Sequence, residues 1–129
     1  MRKRSAYQPR PIKAPVTKEL HDQIGMGLHL SYAALKCAPS LDIVEHLAQV
    51  LGMVGLAIED DPKFADQQIL IDSGMRTLEQ IGTKSEVSAT DLELLPLLRA
   101  VVAADKVVPR LDVLRLHNAN LKLRALAML

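Results

Sequence analysis

Four histidines, one cysteine and a few closely spaced carboxylates are the side chains of this 129-residue sequence best equipped for chemistry. His21, His29, His46 and His117 are zinc-ligand types, and His21-Asp22 sets two ligand types side by side. A helix offers two histidines to one ion when they stand four residues apart on adjacent turns, and no pair here has that spacing. Cys37 has no second cysteine, which excludes an intramolecular disulfide and a cysteine-only zinc site. As a nucleophile it would need a base, and His29 lies eight residues back, more than two turns away on a shared helix. The carboxylate pairs Asp60-Asp61, Asp42/Glu45 and Asp91/Glu93 each fall where a helix start or a wet face explains them. A general-acid pair needs a cleft that raises one pKa. Gly25-Met26-Gly27 and Gly52-Met53-Val54-Gly55 lack the further glycines and the preceding strand of a phosphate-binding loop, so close helix packing accounts for them better. The expectation is a non-enzymatic protein with no catalytic residue, no metal and no cofactor.

Charge gives a second kind of candidate. Residues 1–18 carry six Lys/Arg and no acid, residues 19–105 five against fourteen Asp/Glu, and residues 106–129 five against one. An acidic centre between basic ends suits subunit contact, attraction of a tail to its own body, or binding of a polyanion by the ends. On the alternative reading, a DNA- or RNA-binding regulator, Arg2, Lys3, Arg4, Arg10 and Lys13 form an arm, and Arg110, Arg115, Lys122 and Arg124 belong to a basic helix that contacts phosphates. The acidic centre and the scarcity of aromatic residues for base stacking, only Tyr7, Tyr32 and Phe64, weigh against it.

The elements that must position these groups are helical. With 49% hydrophobic residues and 2% aromatic, the interior is filled by leucine, isoleucine, valine, alanine and methionine, a mixture that favours packed helices. Pro9, Pro11 and Pro15 keep the leader extended or irregular, with Tyr7, Ile12 and Val16 as residues that could dock it on a helical surface as a strap. Thr17 caps a helix over 18–37, and Ser40 one over 41–59, whose apolar positions Val44, Leu47, Leu51, Val54 and Ile58 make one continuous face. Asp61 and Pro62 open a helix over 62–81, and residues 83–89 form a polar linker. Thr90 and Glu93 match a capping box, with Leu92, Leu95, Leu98, Val102 and Asp105 sharing a face. Pro96 is expected to kink that helix or to delay its regular part to about Leu95. A leucine-rich helix follows Pro109 over 110–127.

The predicted architecture is therefore all-α, a small bundle of four or five helices in a single domain over 18–129. A basic, proline-containing segment over 1–17 precedes it. Neither a secretory signal nor an uninterrupted apolar stretch long enough to span a bilayer is present, so a soluble cytoplasmic protein with no membrane partner is expected.

Arg2-Lys3-Arg4-Ser5, Tyr7 and Pro9-Arg10-Pro11 resemble the N-terminal signature of a group of small tailed-phage and prophage proteins. Leu116-His117-Asn118-Ala119-Asn120-Leu121 is similar to a run near their C-termini. The resemblance implies an all-helical protein behind a short leader, of viral origin, resident in a host cell, and supplies no catalytic residue. The density of apolar residues and the small Gly/Ala patches on the 41–59 helix, with Tyr7, Ile12, Gly52 and Gly55 as candidate interface positions, lead to the expectation of an accessory protein acting through protein contacts with itself, as a dimer or higher oligomer, or with a host protein.

Overall fold

A computed structural model describes residues 14–83, 87 and 89–128. Tyr7, Ile12 and the arm cations Arg2, Lys3, Arg4, Arg10 and Lys13 lie outside those residues. The described chain is an all-α bundle of five helices: α1 (Lys18–Cys37), α2 (Leu41–Ala57), α3 (Ala65–Gly82), α4 (Asp91–Val107) and α5 (Val113–Ala127). Single 3-10 turns, Pro62–Phe64 and Val108–Arg110, lead into α3 and out of α4.

Most helix starts follow from short polar side chains that satisfy first-turn amides. Thr17 accepts from the Leu20 amide, Ser40 from Ile43, and Asp61 from Lys63 ahead of Pro62. Thr90 and Glu93 complete a full capping box. That box starts α4 at Asp91, and the helix runs through Pro96 to Val107 rather than beginning near Leu95. Proline removes one hydrogen bond, the one owed to the Leu92 carbonyl, and Leu92 is 82% exposed, so water can serve that oxygen. α5 starts at Val113, not at 110, because Val108–Arg110 closes a 3-10 turn and Asp112 caps the helix by accepting from the Arg115 amide.

Helix α2 lies at the centre, contacting α1, α3, α4 and α5. It buries Val44, Leu47, Leu51, Val54 and Ala57, with Ile58 behind it, on the face its periodicity predicts. The most extensive helix contact joins α3 and α4, an antiparallel pair. It closes over Gly74, where an added Cβ would overlap the Ala100 Cβ and stand 3.5 Å from the Pro96 carbonyl oxygen. The two backbones approach so closely only because one residue has no side chain and the other a single methyl.

This contact overturns the expected face of α4. Leu92, Leu95 and Val102 point outward, at 82%, 41% and 37% exposure, while Leu94, Leu97, Ala100, Val101, Ala104 and Val107 are buried. A helix that is apolar nearly all round gives no contrast for periodicity to use, and the alanine-rich side wins because it fits against Gly74.

The end of the leader is tied down. The Val16 amide donates to the Leu111 carbonyl at 3.2 Å and the Val113 amide to the Ala14 carbonyl at 2.9 Å, with Val16 itself buried. Residues 14–16 thus form a short strap across the link from α4 to α5. In the following linker, Val87 and Ala89 pack against the core, so its described part is less peripheral than its polarity implies. Among the described residues, no helix is long and apolar enough to cross a membrane.

Candidate interaction groove

Helices α3 and α5 both pack on α2 and leave a trench between them with α2 as its floor. The floor is lowered by Gly52 and Gly55. A Cβ on Gly52 would stand 3.2 Å from Leu123 of α5, and one on Gly55 would stand 3.3 Å from Ile71 of α3. Both glycines therefore have their close neighbours within the chain, and both line a cavity of about 520 Å³. Its apolar walls are Ile71 and Met75 of α3 and Leu123 and Leu126 of α5. Met75 also borders two recesses further along α2, of about 330 and 420 Å³, so the three hollows lie side by side around it.

The rim is acidic. Glu59, Asp60 and Asp72 border the cavity over Gly52 and Gly55, and Glu45 and Glu79 the recess along α2 and α3, against Arg76 and Arg124. Asp60 turns the chain at the mouth with a left-handed backbone, φ 61°, a conformation that an aspartate tolerates better than most residues. Inside, Gln68 donates from Nε2 to the Asp72 carboxylate at 2.9 Å, while its Oε1 is buried with no hydrogen-bond partner. A buried acceptor left unsatisfied is costly.

The C-terminal cations expected to meet phosphates are largely engaged within the fold. Arg115 donates from Nε to the Ala57 carbonyl and from Nη2 to Asp61 Oδ2 at 2.8 Å. It thereby supplies the cation that the last turn of α2 lacks, serving a carbonyl at the helix end. This hydrogen bond, joined by one from the Lys63 amide, holds the Asp61 carboxyl below its usual range. Arg110 and Arg115 lie over the Phe64 ring, 4.7 and 5.8 Å from its centroid, and Lys122 Nζ stands 3.6 Å from Glu59. Arg124 borders the groove.

One side-chain cluster was not legible in the sequence. Asp105 of α4 accepts from His21 Nε2 at 2.9 Å and faces His29 Nε2 at 3.5 Å. Gly25, between the two histidines on α1, makes room: a Cβ there would stand 2.5 Å from Asp105 Oδ1. The histidines share a face at i and i+8, but their partner is 84 residues from His21 in sequence, and no local pattern announces it. The arrangement fastens α1 to α4. His46, His117 and Cys37 are exposed on other helices or helix ends, and among the described residues no three His, Cys, Asp or Glu side chains are placed to hold a metal ion. Asp91 faces Lys36 at 3.6 Å, and Glu93 closes the capping box.

Compared with protein-family models, with curated proteins and with solved structures, the chain matches none.

Proposed function

We propose that this chain is a non-enzymatic binding module that works through protein contacts, with the α2–α3–α5 groove as its recognition surface. The leader's resemblance favours the setting of a phage or prophage accessory protein. The observation that carries the reading is the combination in one trench of an apolar floor, an acidic rim and the unpaired Gln68 Oε1. Such a groove suits an extended segment rich in arginine or lysine, with apolar side chains for the floor and a backbone or side-chain donor for Gln68.

The test is a titration of the isotope-labelled 129-residue chain with an Arg-Pro repeat peptide, followed by amide NMR. Saturable shifts at Gly52, Gly55, Asp72 and Met75, weakened by salt and lost in Asp72→Lys, are expected. No saturable shift in the groove refutes the reading.

Self-association is a second contact within the same functional class, favoured by the outward stripe of Leu92, Leu95 and Val102 on α4. Sedimentation from one to one hundred micromolar should show a concentration-dependent mass that Leu95→Lys reduces to monomer. A monomer throughout in the unaltered protein removes this contact and leaves the groove untouched.

A further inference from the structure

We infer that α1 and α4 together form one interface with the same two helices of a second copy of this chain, laid antiparallel about a single two-fold axis. This rests on the self-association reading above and gives it a surface and a register.

Helix α1 carries an outward seam. Glu19, Gln23, Met26, Leu30, Ala33 and Cys37 follow one another by four, three, four, three and four residues, and all are exposed, Met26 and Leu30 at 63% each. They lie on the side of the helix opposite Leu28 and Leu35, which seat α1 on the core. This alternation is the heptad spacing by which one helix lies along another. The seam is also symmetric: Glu19 and Cys37, Gln23 and Ala33, and Met26 and Leu30 stand at equal distances from Leu28. A second α1 laid antiparallel sets Met26 against Leu30 of the partner subunit and Glu19 beside Cys37 of the partner subunit. That is the self-complementary pairing a two-fold axis demands.

Helix α4 repeats the symmetry. Its exposed residues Leu92, Leu95, Arg99, Val102 and Lys106 follow by three, four, three and four, and antiparallel pairing sets Leu95 against Val102 of the partner subunit. The two centres of symmetry lie at one level. Lys36 meets Asp91, while His21 and His29 both face Asp105, so α1 runs antiparallel to α4 and Leu28 stands level with about residue 100. The midpoint between Leu95 and Val102 is within one helical turn of that level. Leu95 and Val102 are also the helix-surface neighbours, four and three residues away, of Asp91 and Asp105, which face α1. Seam and stripe therefore share one face, and one axis serves both helices.

Charge commits this face to a second copy in the antiparallel sense. Near the start of α1 Glu19 and Asp22 outnumber Lys18, and Lys36 is in its last turn; α4 has Asp91 at its start and Lys106 in its last turn. Among the described residues, neither Glu19 nor Asp22 has an ion-pair partner in its own chain. The two-fold arrangement brings Asp22 to Lys36 of the partner subunit and Asp91 to Lys106 of the partner subunit, whereas a parallel arrangement sets like charges together.

A disulfide reads the register directly. Glu19→Cys adds a thiol to a chain whose own Cys37 is exposed. Eighteen residues along one helix separate the two positions by about 27 Å, far beyond disulfide reach, so oxidation joins them only between molecules. Mild oxidation of Glu19→Cys should give a covalent dimer at least about tenfold faster than Asp66→Cys, an exposed position on α3. The unaltered chain should give none, since the two Cys37 thiols of the pair also stand about 27 Å apart. In sedimentation over the concentration range given above, Leu30→Lys should yield monomer as Leu95→Lys does, with circular dichroism unchanged, while Leu121→Lys on α5 leaves the mass as it was. Equal cross-linking of Glu19→Cys and Asp66→Cys, with association that Leu95→Lys abolishes and Leu30→Lys leaves intact, overturns the register and keeps the α4 contact. A monomer at every concentration removes the self-association reading, and the inference falls with it.

Discussion

Replacing Gly74 with alanine is the sharpest test of how this bundle is assembled, because helix propensity and packing push in opposite directions. In an unobstructed helix interior, alanine stabilises relative to glycine by about 1 kcal/mol. Gly27, mid-way along α1 with nothing within 4 Å of an added Cβ, should show that gain. At Gly74 the new methyl overlaps the Ala100 Cβ, and both are fixed to their backbones with no rotamer by which to escape. The α3–α4 pair must part or slide, and overpacking of this kind costs about 1–3 kcal/mol, occasionally more. Subtracting the propensity gain from the upper part of that range leaves Gly74→Ala destabilised by about 1–2 kcal/mol. For a chain of this length that is a fall in Tm of about 4–8 °C, while Gly27→Ala should rise by a few degrees.

The reciprocal change isolates the contact. Ala100→Gly alone loses helix propensity and a buried methyl, about 1–2 kcal/mol. In Gly74→Ala/Ala100→Gly the methyl has only crossed the interface and the propensity changes cancel, so stability should return to within about 1 kcal/mol of the parent. Denaturant unfolding followed by circular dichroism gives all four corners of the cycle, with a coupling of about 2 kcal/mol expected against about 0.3–0.5 for independent sites. If Gly74→Ala stabilises as Gly27→Ala does, or the double variant is the sum of the singles, the α3–α4 approach is not the one described.

Other consequences are equally direct. Asp61, held below its ordinary value of 3.8 by Arg115, stabilises the fold above that pH and loses the contribution as pH falls through its lowered pKa. Asp61→Asn should therefore flatten the fall of Tm between pH 5 and pH 2, and an unchanged acid limb would refute the Arg115 contact. Thr90→Ala, which breaks the α4 capping box, should cost about 1 kcal/mol in denaturant unfolding, whereas Thr83→Ala beyond the end of α3 should cost less. Asp105→Ala should lower Tm by freeing His21 and His29, and a double-mutant cycle with His21→Ala should show coupling; strict additivity would mean that α1 is held without that pair.

The division between what the sequence disclosed and what it hid follows the range of the interactions. Helix starts were legible because Thr17, Ser40, Asp61 and Thr90 act on amides two or three residues away. The core face of α2 was legible because its apolar residues stand out against Asp42, Glu45, His46 and Gln49. α4 lacked that contrast, so its inward face was decided by Gly74 on another helix. Arg115 and Asp105 were hidden for the same reason: as sequence, one reads as a phosphate contact and the other as the end of an apolar stripe. Their partners are 54 and 84 residues away. The glycines of α2 mark close approach in the sequence, but a close approach has two sides, and only the fold shows that the neighbours are Leu123 and Ile71 of the same chain.

The basic residues join these two ranges. They are local composition, yet a cation binds nucleic acid only where it is not already matched by acids. Within the fold, Arg115 and Lys122 are matched by Asp61 and Glu59, which lie in the same acidic corner that opens into the groove. The bundle thus uses its C-terminal positive charge to close that corner, while Asp60 and Asp72 border the groove beside it.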